Sequence, residues 1–287
     1  MSWDDLTILD TRLSDAEAQV ENLRPGVHKR VHWYGNAGEK TQVSVVYIHG
    51  FSATSEELRP FPDQIASSLN ANLHFTRLTG HGQDGRAMGR ATLADWQADT
   101  NQALQIARAI GDKVVVVACS TAAPLVVDAL ARDATGIANC VFVSPNFGMT
   151  NPFLAAALRM PLVRHWGPWV MGRERHFEPI SAEHSAFWTT RYDTKAVFTM
   201  HDAVMAARRV DVGRIMVPAA FIYCDDDQVV APKQTARVAS IWGGATQVLK
   251  LPKGQNDFGH LLVGDVFNPD QTQLANAFAI RFCQDNM

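Results

Sequence analysis

The most constraining feature of this 287-residue chain is an abrupt change from valines to small, helix-compatible residues. The change lies within 113–128, which reads Lys-Val-Val-Val-Val-Ala-Cys-Ser-Thr-Ala-Ala-Pro-Leu-Val-Val-Asp. The valines at 114–117 are β-branched and uninterrupted by polar residues, which is typical of a strand buried on both faces. The residues at 121–132 predict a helix that packs against this strand. Ser120 is therefore expected on a sharp turn between a buried strand and a helix.

A serine in this position is well placed for nucleophilic chemistry. Its hydroxyl is lifted clear of the sheet, and the N-terminus of the following helix can stabilise a developing negative charge. This strand–turn–helix arrangement is a nucleophile elbow. A serine hydroxyl reacts only when a base removes its proton and a third group orients that base. The elbow therefore predicts a histidine and a carboxylate from other parts of the chain.

Strand-like apolar runs alternate with helical patterns along most of the chain, after a polar lead-in of about 25 residues. Repeated strand–helix pairs predict an α/β fold with a mostly parallel central sheet flanked by helices on both faces. Thr92 is expected to cap one of these helices, with Asp95 in its first turn. The predicted strands are 42–49, 72–78, 114–117, 140–144, 218–224 and 246–251, and the predicted helices are 55–69, 92–110, 121–132, 233–242 and 271–283.

The alternation lapses between Phe147 and Val212, where large apolar residues are frequent and no convincing strand is seen. This segment begins after the strand that ends near Ser144. An insertion at the carboxyl edge of a parallel sheet overhangs the place where such sheets bind ligands. We interpret 147–212 as a helical lid, inserted into a core that is formed by 1–146 and 213–287. An extra helical layer of the core, without contact to any substrate, is the alternative.

Of the ten histidines, His260 alone follows the last predicted strand. The loop 255–263 that carries it is expected to reach back over the carboxyl edge of the sheet, where Ser120 lies. His28 and His32 lie in the lead-in, before the first predicted sheet strand. His260 is therefore the candidate general base.

Three aspartates in a row follow the predicted strand at 218–224. Asp225 directly follows the strand and is expected to form the turn. Asp227 precedes two valines that can pack the turn down, and it is better placed to project toward a histidine loop. We favour Asp227, with Asp225 and Asp226 as alternatives. Because adjacent aspartates repel one another, the remaining two are expected to be solvated.

Acyl transfer also requires N–H donors aimed at the developing oxyanion. The backbone N–H of Thr121, at the start of the predicted helix, is one candidate. The second is the N–H of Phe51, because Gly50 permits a sharp turn after the first long strand. The Phe51 side chain can instead form a wall of an acyl pocket. The candidate substrate-binding residues are His49, Gly50, Cys119, Phe147, Trp166, Trp169 and Trp188.

Together these residues resemble the α/β-hydrolase superfamily, in its carboxylesterase and monoacylglycerol-lipase branch. The segment 49–60 resembles the oxyanion segment of that branch, and 77–82 resembles its glycine-histidine-glycine turn. Asp95, Trp96 and Asp99 fall in the helix where such esterases often carry a tryptophan and an acid. The resemblance implies a serine hydrolase, whose functional residues in this chain are Ser120 as nucleophile, Asp227 as acid, His260 as base, and Phe51 and Thr121 as oxyanion donors.

The chain departs from the family pattern at the elbow. The usual motif is Gly-x-Ser-x-Gly, whereas this chain has Ala118 and Ala122 at the two glycine positions. Alanine is the mildest replacement, since it adds one methyl group. The serine itself disfavours a haloalkane dehalogenase, which uses an aspartate there. A dinucleotide-binding reading of the glycines at 80–85 fails, since no acidic residue follows at a strand end about 20 residues later.

Charge and composition narrow the remaining functional classes. The net charge of −3 gives no reason to expect nucleic acid or an anionic membrane as a partner. The four cysteines are far apart, as is typical of buried free thiols. No signal peptide and no transmembrane segment is recognisable, so a soluble, cytoplasmic protein is expected. The expected chemistry requires no metal or organic cofactor, and the oligomeric state is not indicated.

The expected function is a carboxylesterase or lipase that acts on esters of small to medium acyl chain. The apolar residues of the lid predict an apolar acyl pocket and a preference for longer chains. Two alternatives stay open. The same triad can cleave a thioester or a carbon–carbon bond, and a non-catalytic binding protein can keep the same fold.

Overall fold

A central sheet forms the middle of the computed structural model, which describes residues 3–254 and 258–287. The strands are β1 (Arg30–His32), β2 (Thr41–Ile48), β3 (Asn72–Phe75), β4 (Gly111–Cys119), β5 (Ile137–Val143), β6 (Glu174–His176), β7 (Arg191–Asp193), β8 (Ala219–Tyr223) and β9 (Thr246–Lys250). In the described part of the chain, seven of them form one sheet in the order β1-β3-β2-β4-β5-β8-β9. β1 is antiparallel to β3, and the other neighbours are parallel. The prediction of a mostly parallel sheet is confirmed.

Helices cover both faces of this sheet. They are α1 (Leu9–Ala18), α2 (Phe61–Ser68), α3 (Gly85–Arg90), α4 (Leu93–Ile110), α5 (Ala122–Leu130), α6 (Pro152–Ala157), α7 (Val163–Met171), α8 (Ala182–Phe187), α9 (Lys195–Ala207), α10 (Pro232–Ser240) and α11 (Pro269–Asp285). α4 begins with the predicted cap, in which Thr92 and Asp95 exchange hydrogen bonds in a capping box. α3 was not predicted. None of the helices in the described ranges is long and apolar enough to cross a lipid bilayer.

The valine run of β4 divides between two hydrophobic cores. Val114 and Val116 pack on one face with residues of α4, α5 and α9. Val115 and Val117 pack on the other face with residues of α2 and α11. All four valines are fully buried, because successive side chains of a strand point to opposite faces and both faces are covered. This buried central strand ends at Cys119, and Ser120 follows directly.

The lead-in and the residues after it contain secondary structure that the sequence pattern did not predict. It contains α1 and β1, and Trp3, Leu9 and Leu13 pack against Ile106 and Ile110 of α4. Leu9 and Leu13 are four residues apart, so they lie on the same face of α1. The prediction that histidine 32 precedes the first sheet strand was wrong, since β1 ends there.

Helix α2 begins at Phe61, later than the predicted start at 55. The segment before it forms turns, in which the Glu57 N–H donates to the Thr54 carbonyl oxygen over 3.1 Å. Proline suits the first turn of a helix because it lacks an N–H and has a fixed φ. Pro60 and Pro62 therefore favour a helix start at this point, and the residue before Pro60 is disfavoured in helical conformation.

The segment 147–212 contains α6 to α9 and a small two-stranded sheet. β6 and β7 pair in antiparallel fashion, with Arg175 opposite Tyr192. The expectation of no strand in this segment was wrong, because three-residue strands give too short an alternation to be recognised. α9 belongs to the core, since Phe198 and Ala203 are buried among residues of α5. By contrast, Phe153 in α6 and Trp169 in α7 are exposed.

Candidate active site

Ser120 lies on the turn between β4 and α5 with a φ of 48°, in the left-handed region. A non-glycine residue in this region costs about 1–3 kcal/mol, which the surrounding structure must offset. The Ser120 N–H donates to the Val143 carbonyl oxygen over 3.0 Å, and the Asn146 N–H donates to the Ser120 carbonyl oxygen over 3.0 Å. These bonds to the end of β5 hold the turn. Ala118 and Ala122, at the usual glycine positions, are fully buried.

The imidazole of His260 lies between the serine hydroxyl and a carboxylate. Its Nε2 is 3.0 Å from Ser120 Oγ, and its Nδ1 is 2.7 Å from Asp227 Oδ2. In the neutral ring this arrangement requires the Nδ1–H to donate to the carboxylate and Nε2 to accept from the hydroxyl. The Asp227 side chain is 1% exposed and that of His260 12%. The structure thus brings the three residues together in one hydrogen-bonded chain that is shielded from solvent.

Asp227 is fixed by the turn that follows it. Its Oδ1 accepts hydrogen bonds from the N–H groups of Val229 and Val230, at 2.8 and 2.9 Å. Oδ2 is thereby directed toward His260. Asp225 and Asp226 are exposed, and Asp225 pairs with Lys250 at 2.9 Å. Of the three adjacent aspartates, only Asp227 contacts the histidine.

The loop that carries His260 is tied to the neighbouring strand ends. The Ser144 hydroxyl, at the end of β5, donates to the His260 carbonyl oxygen. The Gln228 N–H donates to the Phe258 carbonyl oxygen over 2.9 Å, which joins the loop to the turn of Asp227. Residues 255–257 of the predicted histidine loop lie outside the described residues. The position of His260 is therefore set through backbone groups as well as through its ring.

Two backbone N–H groups belong to the segments that border the serine. Thr121 directly precedes α5, and Phe51 follows Gly50 in the turn after β2. Neither N–H has a backbone or side-chain acceptor within 3–254 and 258–287. A Cβ on Gly50 would lie 3.1 Å from the Ser120 Cβ. This close approach requires glycine and holds the turn of Phe51 directly against the elbow.

His49 supports this turn and does not offer a free nitrogen to a substrate. Its Nδ1–H donates to the Gly50 carbonyl oxygen over 2.9 Å, and Nε2 accepts from the Leu78 N–H over 3.1 Å. Complete burial lowers the pKa of His49 to about 4, so the ring is neutral at pH 7. The ring of His81 lies 4.9 Å from it. The prediction that His49 binds substrate is corrected on this ground.

Cys119 and Phe147 are also buried in the interior. The Cys119 thiol is fully buried, and burial raises its pKa well above the ordinary value of 9.0. The Phe147 ring lies 6.5 Å from that of Phe142, within the core on the α5 face of the sheet. Both candidates for substrate binding are therefore placed in the packing beneath the elbow.

The three candidate tryptophans of 147–212 have different surroundings. Trp166 packs partly on the core and donates its indole N–H to the Pro161 carbonyl oxygen over 2.9 Å. Trp169 is 77% exposed, with the Arg173 guanidinium 5.0 Å from its ring. Trp188 is buried, and its ring lies 5.4 Å from Phe267. Trp188 thus joins the segment to the loop that follows His260.

The segment 147–212 also contacts the turn after β2. The Thr189 N–H donates to the Ser52 carbonyl oxygen over 2.7 Å. The Phe51 ring stands edge-on to Tyr192, with centroids 5.1 Å apart, and edge-on to Trp96 at 6.3 Å. The segment and the elbow therefore meet the same turn from two sides.

The sequence pattern does not point to Glu57, which lies beside the elbow. Its Oε2 accepts from the Gly50 N–H over 2.6 Å and from the Tyr47 hydroxyl over 2.8 Å. A glutamate next to a second acid, in a stretch that resembles the solvated start of a helix, gives no signal of burial. The one usable clue is that a tight turn at Gly50 needs an acceptor for its N–H.

Comparisons with known proteins identify the family. A model of the alpha/beta hydrolase family matches residues 45–263. The chain therefore belongs to the α/β hydrolase family. The predicted fold and the prediction of a hydrolase enzyme are confirmed at the level of the family.

Solved structures with this fold cover most of the chain. One, of the metagenome-derived lipolytic enzymes LipS and LipT, has a TM-score of 0.74 at 19% identity and covers 92% of this chain and 100% of its own. A monoglyceride lipase from Saccharomyces cerevisiae has a TM-score of 0.67 at 12% identity, and the match covers 94% of this chain and 98% of the lipase. A monoacylglycerol lipase from Paleococcus ferrophilus has a TM-score of 0.65 at 12% identity, and the match covers 91% of this chain and 99% of the lipase. No curated protein sequence matches significantly.

The buried His49 predicts a specific pH dependence. The pKa of His49 is about 4 in the folded protein, below the ordinary 6.5. Between these two pH values the unfolded chain binds a proton at His49 that the folded chain does not bind. This contribution to the free energy of unfolding is fully present above pH 6.5 and is lost as the pH falls toward 4. Histidine-ring NMR should show His49 titrating near pH 4, and urea unfolding at pH 7 and pH 5 should show the loss. A His49 ring that titrates near 6.5 contradicts the description.

Proposed function

We propose that this protein is a serine-dependent hydrolase of carboxylic esters, with Ser120 as the nucleophile. The observation that carries the proposal is the buried chain of hydrogen bonds from Ser120 Oγ through His260 to Asp227. The order of the three residues along the chain is the one expected in an α/β hydrolase. The lipases found among its structural neighbours support an ester as the substrate.

The proposed reaction starts with proton transfer from Ser120 Oγ to His260 Nε2 as the oxygen attacks the ester carbonyl carbon. The carbonyl oxygen becomes an oxyanion, which the N–H groups of Phe51 and Thr121 stabilise. The tetrahedral intermediate then collapses, the carbon–oxygen bond to the alcohol breaks, and the alcohol leaves with the proton from His260. Water repeats the sequence on the acyl-enzyme and releases the carboxylic acid. These steps call on no metal and no organic cofactor.

Asp227 acts on His260 in this proposal and does not take the proton itself. Its Oδ2 keeps the Nδ1–H of the ring in place, so that Nε2 faces the serine as an acceptor. When the ring becomes positively charged, the adjacent carboxylate stabilises it. The two valine N–H groups on Oδ1 keep the carboxylate from rotating away.

We further propose that 147–212 acts as a lid over this site and contributes an apolar acyl pocket. The contacts of Thr189 with Ser52 and of Tyr192 with Phe51 support this, since both reach the proposed oxyanion turn. α9 serves as part of the core and anchors the segment. Esters of small to medium acyl chain are the proposed substrates.

Replacing the nucleophile tests the proposed function directly. Ser120→Ala should lower ester turnover by at least about 10³-fold, because no acyl-enzyme can form. A fluorophosphonate probe should label the wild type on Ser120 and leave the variant unlabelled. Ser240→Ala, at an exposed serine of α10, is the matched control and should label like the wild type. Equal labelling of wild type and Ser120→Ala contradicts the proposal.

The assignment of the acid can be tested within the run of aspartates. Asp227→Asn should reduce kcat by about 10⁴-fold, because the amide no longer fixes the productive tautomer of His260. Asp225→Asn removes only an exposed ion pair with Lys250, so its activity should stay close to that of the wild type. Steady-state kinetics on one ester decide the matter. Loss of activity in Asp225→Asn, with Asp227→Asn active, refutes the choice of Asp227.

An apolar acyl pocket predicts a dependence on chain length. For p-nitrophenyl esters from acetate to octanoate, kcat/KM should rise by up to about fourfold per CH₂, since burial of each is worth about 0.8 kcal/mol. The rise should stop where the pocket ends. Ser120→Ala, measured on the same esters, corrects for background hydrolysis. A flat profile contradicts the apolar pocket.

A further inference from the structure

Glu57 is a buried acid without a basic partner. It is 2% exposed, and no lysine or arginine in the described part of the chain forms an ion pair with it. Its neighbour Glu56 behaves in the ordinary way and pairs with Arg30 and Arg59 near the surface. Burying a carboxylate costs several kcal/mol unless it is paired or hydrogen-bonded. The cost of burying the Glu57 carboxylate must therefore be offset by other interactions.

The compensation comes from hydrogen-bond donors around the carboxylate. The Gly50 N–H and the Tyr47 hydroxyl both donate to Oε2. The buried Cys119 thiol, which directly precedes Ser120, is a neighbour whose interaction with Glu57 lowers the pKa of the carboxyl. Burial raises the pKa of Glu57, while these donors and the nearby His260 act in the opposite direction. These groups belong to β2, the turn after it, the elbow and the proposed base.

The carboxylate lies at the point where the turn of Gly50 meets the elbow. A Cβ on Gly50 would be 2.7 Å from Glu57 Oε1 and 3.1 Å from the Ser120 Cβ. Only glycine fits at position 50, because any side chain there would meet both the Glu57 carboxylate and the Ser120 side chain. Glu57 is therefore in contact with the backbone that carries the proposed oxyanion donor.

Two successive peptide groups of this turn, His49–Gly50 and Gly50–Phe51, are each held by a buried side chain. The Gly50 carbonyl oxygen accepts from His49 Nδ1–H, and the Gly50 N–H donates to Glu57. Because a trans peptide is planar, its N–H points opposite to its carbonyl oxygen. The bond from His49 therefore sets the direction of the Phe51 N–H, and the bond to Glu57 holds the adjoining peptide group, on which the orientation of the turn depends.

We propose that Glu57 is a positioning residue, whose carboxylate holds the Gly50–Phe51 turn in the orientation that aims the Phe51 N–H at the oxyanion. This inference rests on the proposed ester hydrolysis. Glu57 itself touches neither the substrate nor the reacting atoms. It acts through the turn, so its removal should affect the transition state more than the binding of the substrate.

Three variants separate this role from a purely structural one. Glu57→Ala should lower kcat by up to about 100-fold with KM changed less than about threefold, since a small displacement of a catalytic donor has this effect. Glu57→Gln should restore kcat to within about fivefold of the wild type, because its amide oxygen can still accept from the Gly50 N–H. Tyr47→Phe removes a different donor from the same carboxylate and should leave kcat unchanged. Thermal unfolding of each variant reports the structural cost separately.

Several outcomes overturn the inference. One is a folded Glu57→Ala variant with the kcat of the wild type, and another is an equal loss in Glu57→Ala and Glu57→Gln. If Glu57→Ala does not fold, Glu57→Asp decides, since it keeps the charge but draws the carboxylate back from Gly50. Its kcat should then fall below that of Glu57→Gln, and the reverse order refutes the role. A wild type that neither turns over esters nor reacts with the fluorophosphonate refutes the proposed function itself, whereas an active wild type with an unaffected Glu57→Ala refutes only the role of Glu57.

Discussion

Parallel pairing of the central strands is the constraint on which the candidate site depends. β2, β4, β5 and β8 are neighbours in the sheet and run in the same direction. The turn that follows each strand therefore lies at the same edge. This brings together the turns that carry Gly50, Ser120, Ser144 and Asp227, which are far apart in sequence. The loop with His260 completes the group after β9.

The same sheet offsets the strain at its edge. Ser120 and Ser144 both have positive φ angles, 48° and 45°. Each follows a strand, and each donates its N–H to the next strand, to the carbonyl oxygens of Val143 and Ile222 respectively. These bonds continue the parallel ladder past the ends of the strands. Two unfavourable backbone conformations are thus held by the hydrogen bonds that hold the sheet, and both residues face His260, one through its ring and one through its carbonyl.

Features determined by local sequence could be predicted, while those determined by distant packing could not. The buried strand, the elbow and the cap at Thr92 follow from neighbouring residues, and the structure contains all three. The position of Asp227 beside His260 also agrees with the sequence interpretation. α1 is stabilised by burial against α4, and Glu57 by the turn of Gly50. Nothing in the residues adjacent to them specifies these partners, so their burial could not be recognised from the sequence.

The hydrogen bond from the Thr189 N–H to the Ser52 carbonyl oxygen links the segment 147–212 to the turn after β2. One end belongs to the segment with exposed aromatic rings, and the other adjoins Phe51. If the segment swings outward far enough to break this bond, the Ser52 carbonyl loses its partner one residue from the proposed oxyanion donor. In the proposed lid role, outward movement of the segment would therefore also act on the turn of Phe51 through this backbone hydrogen bond.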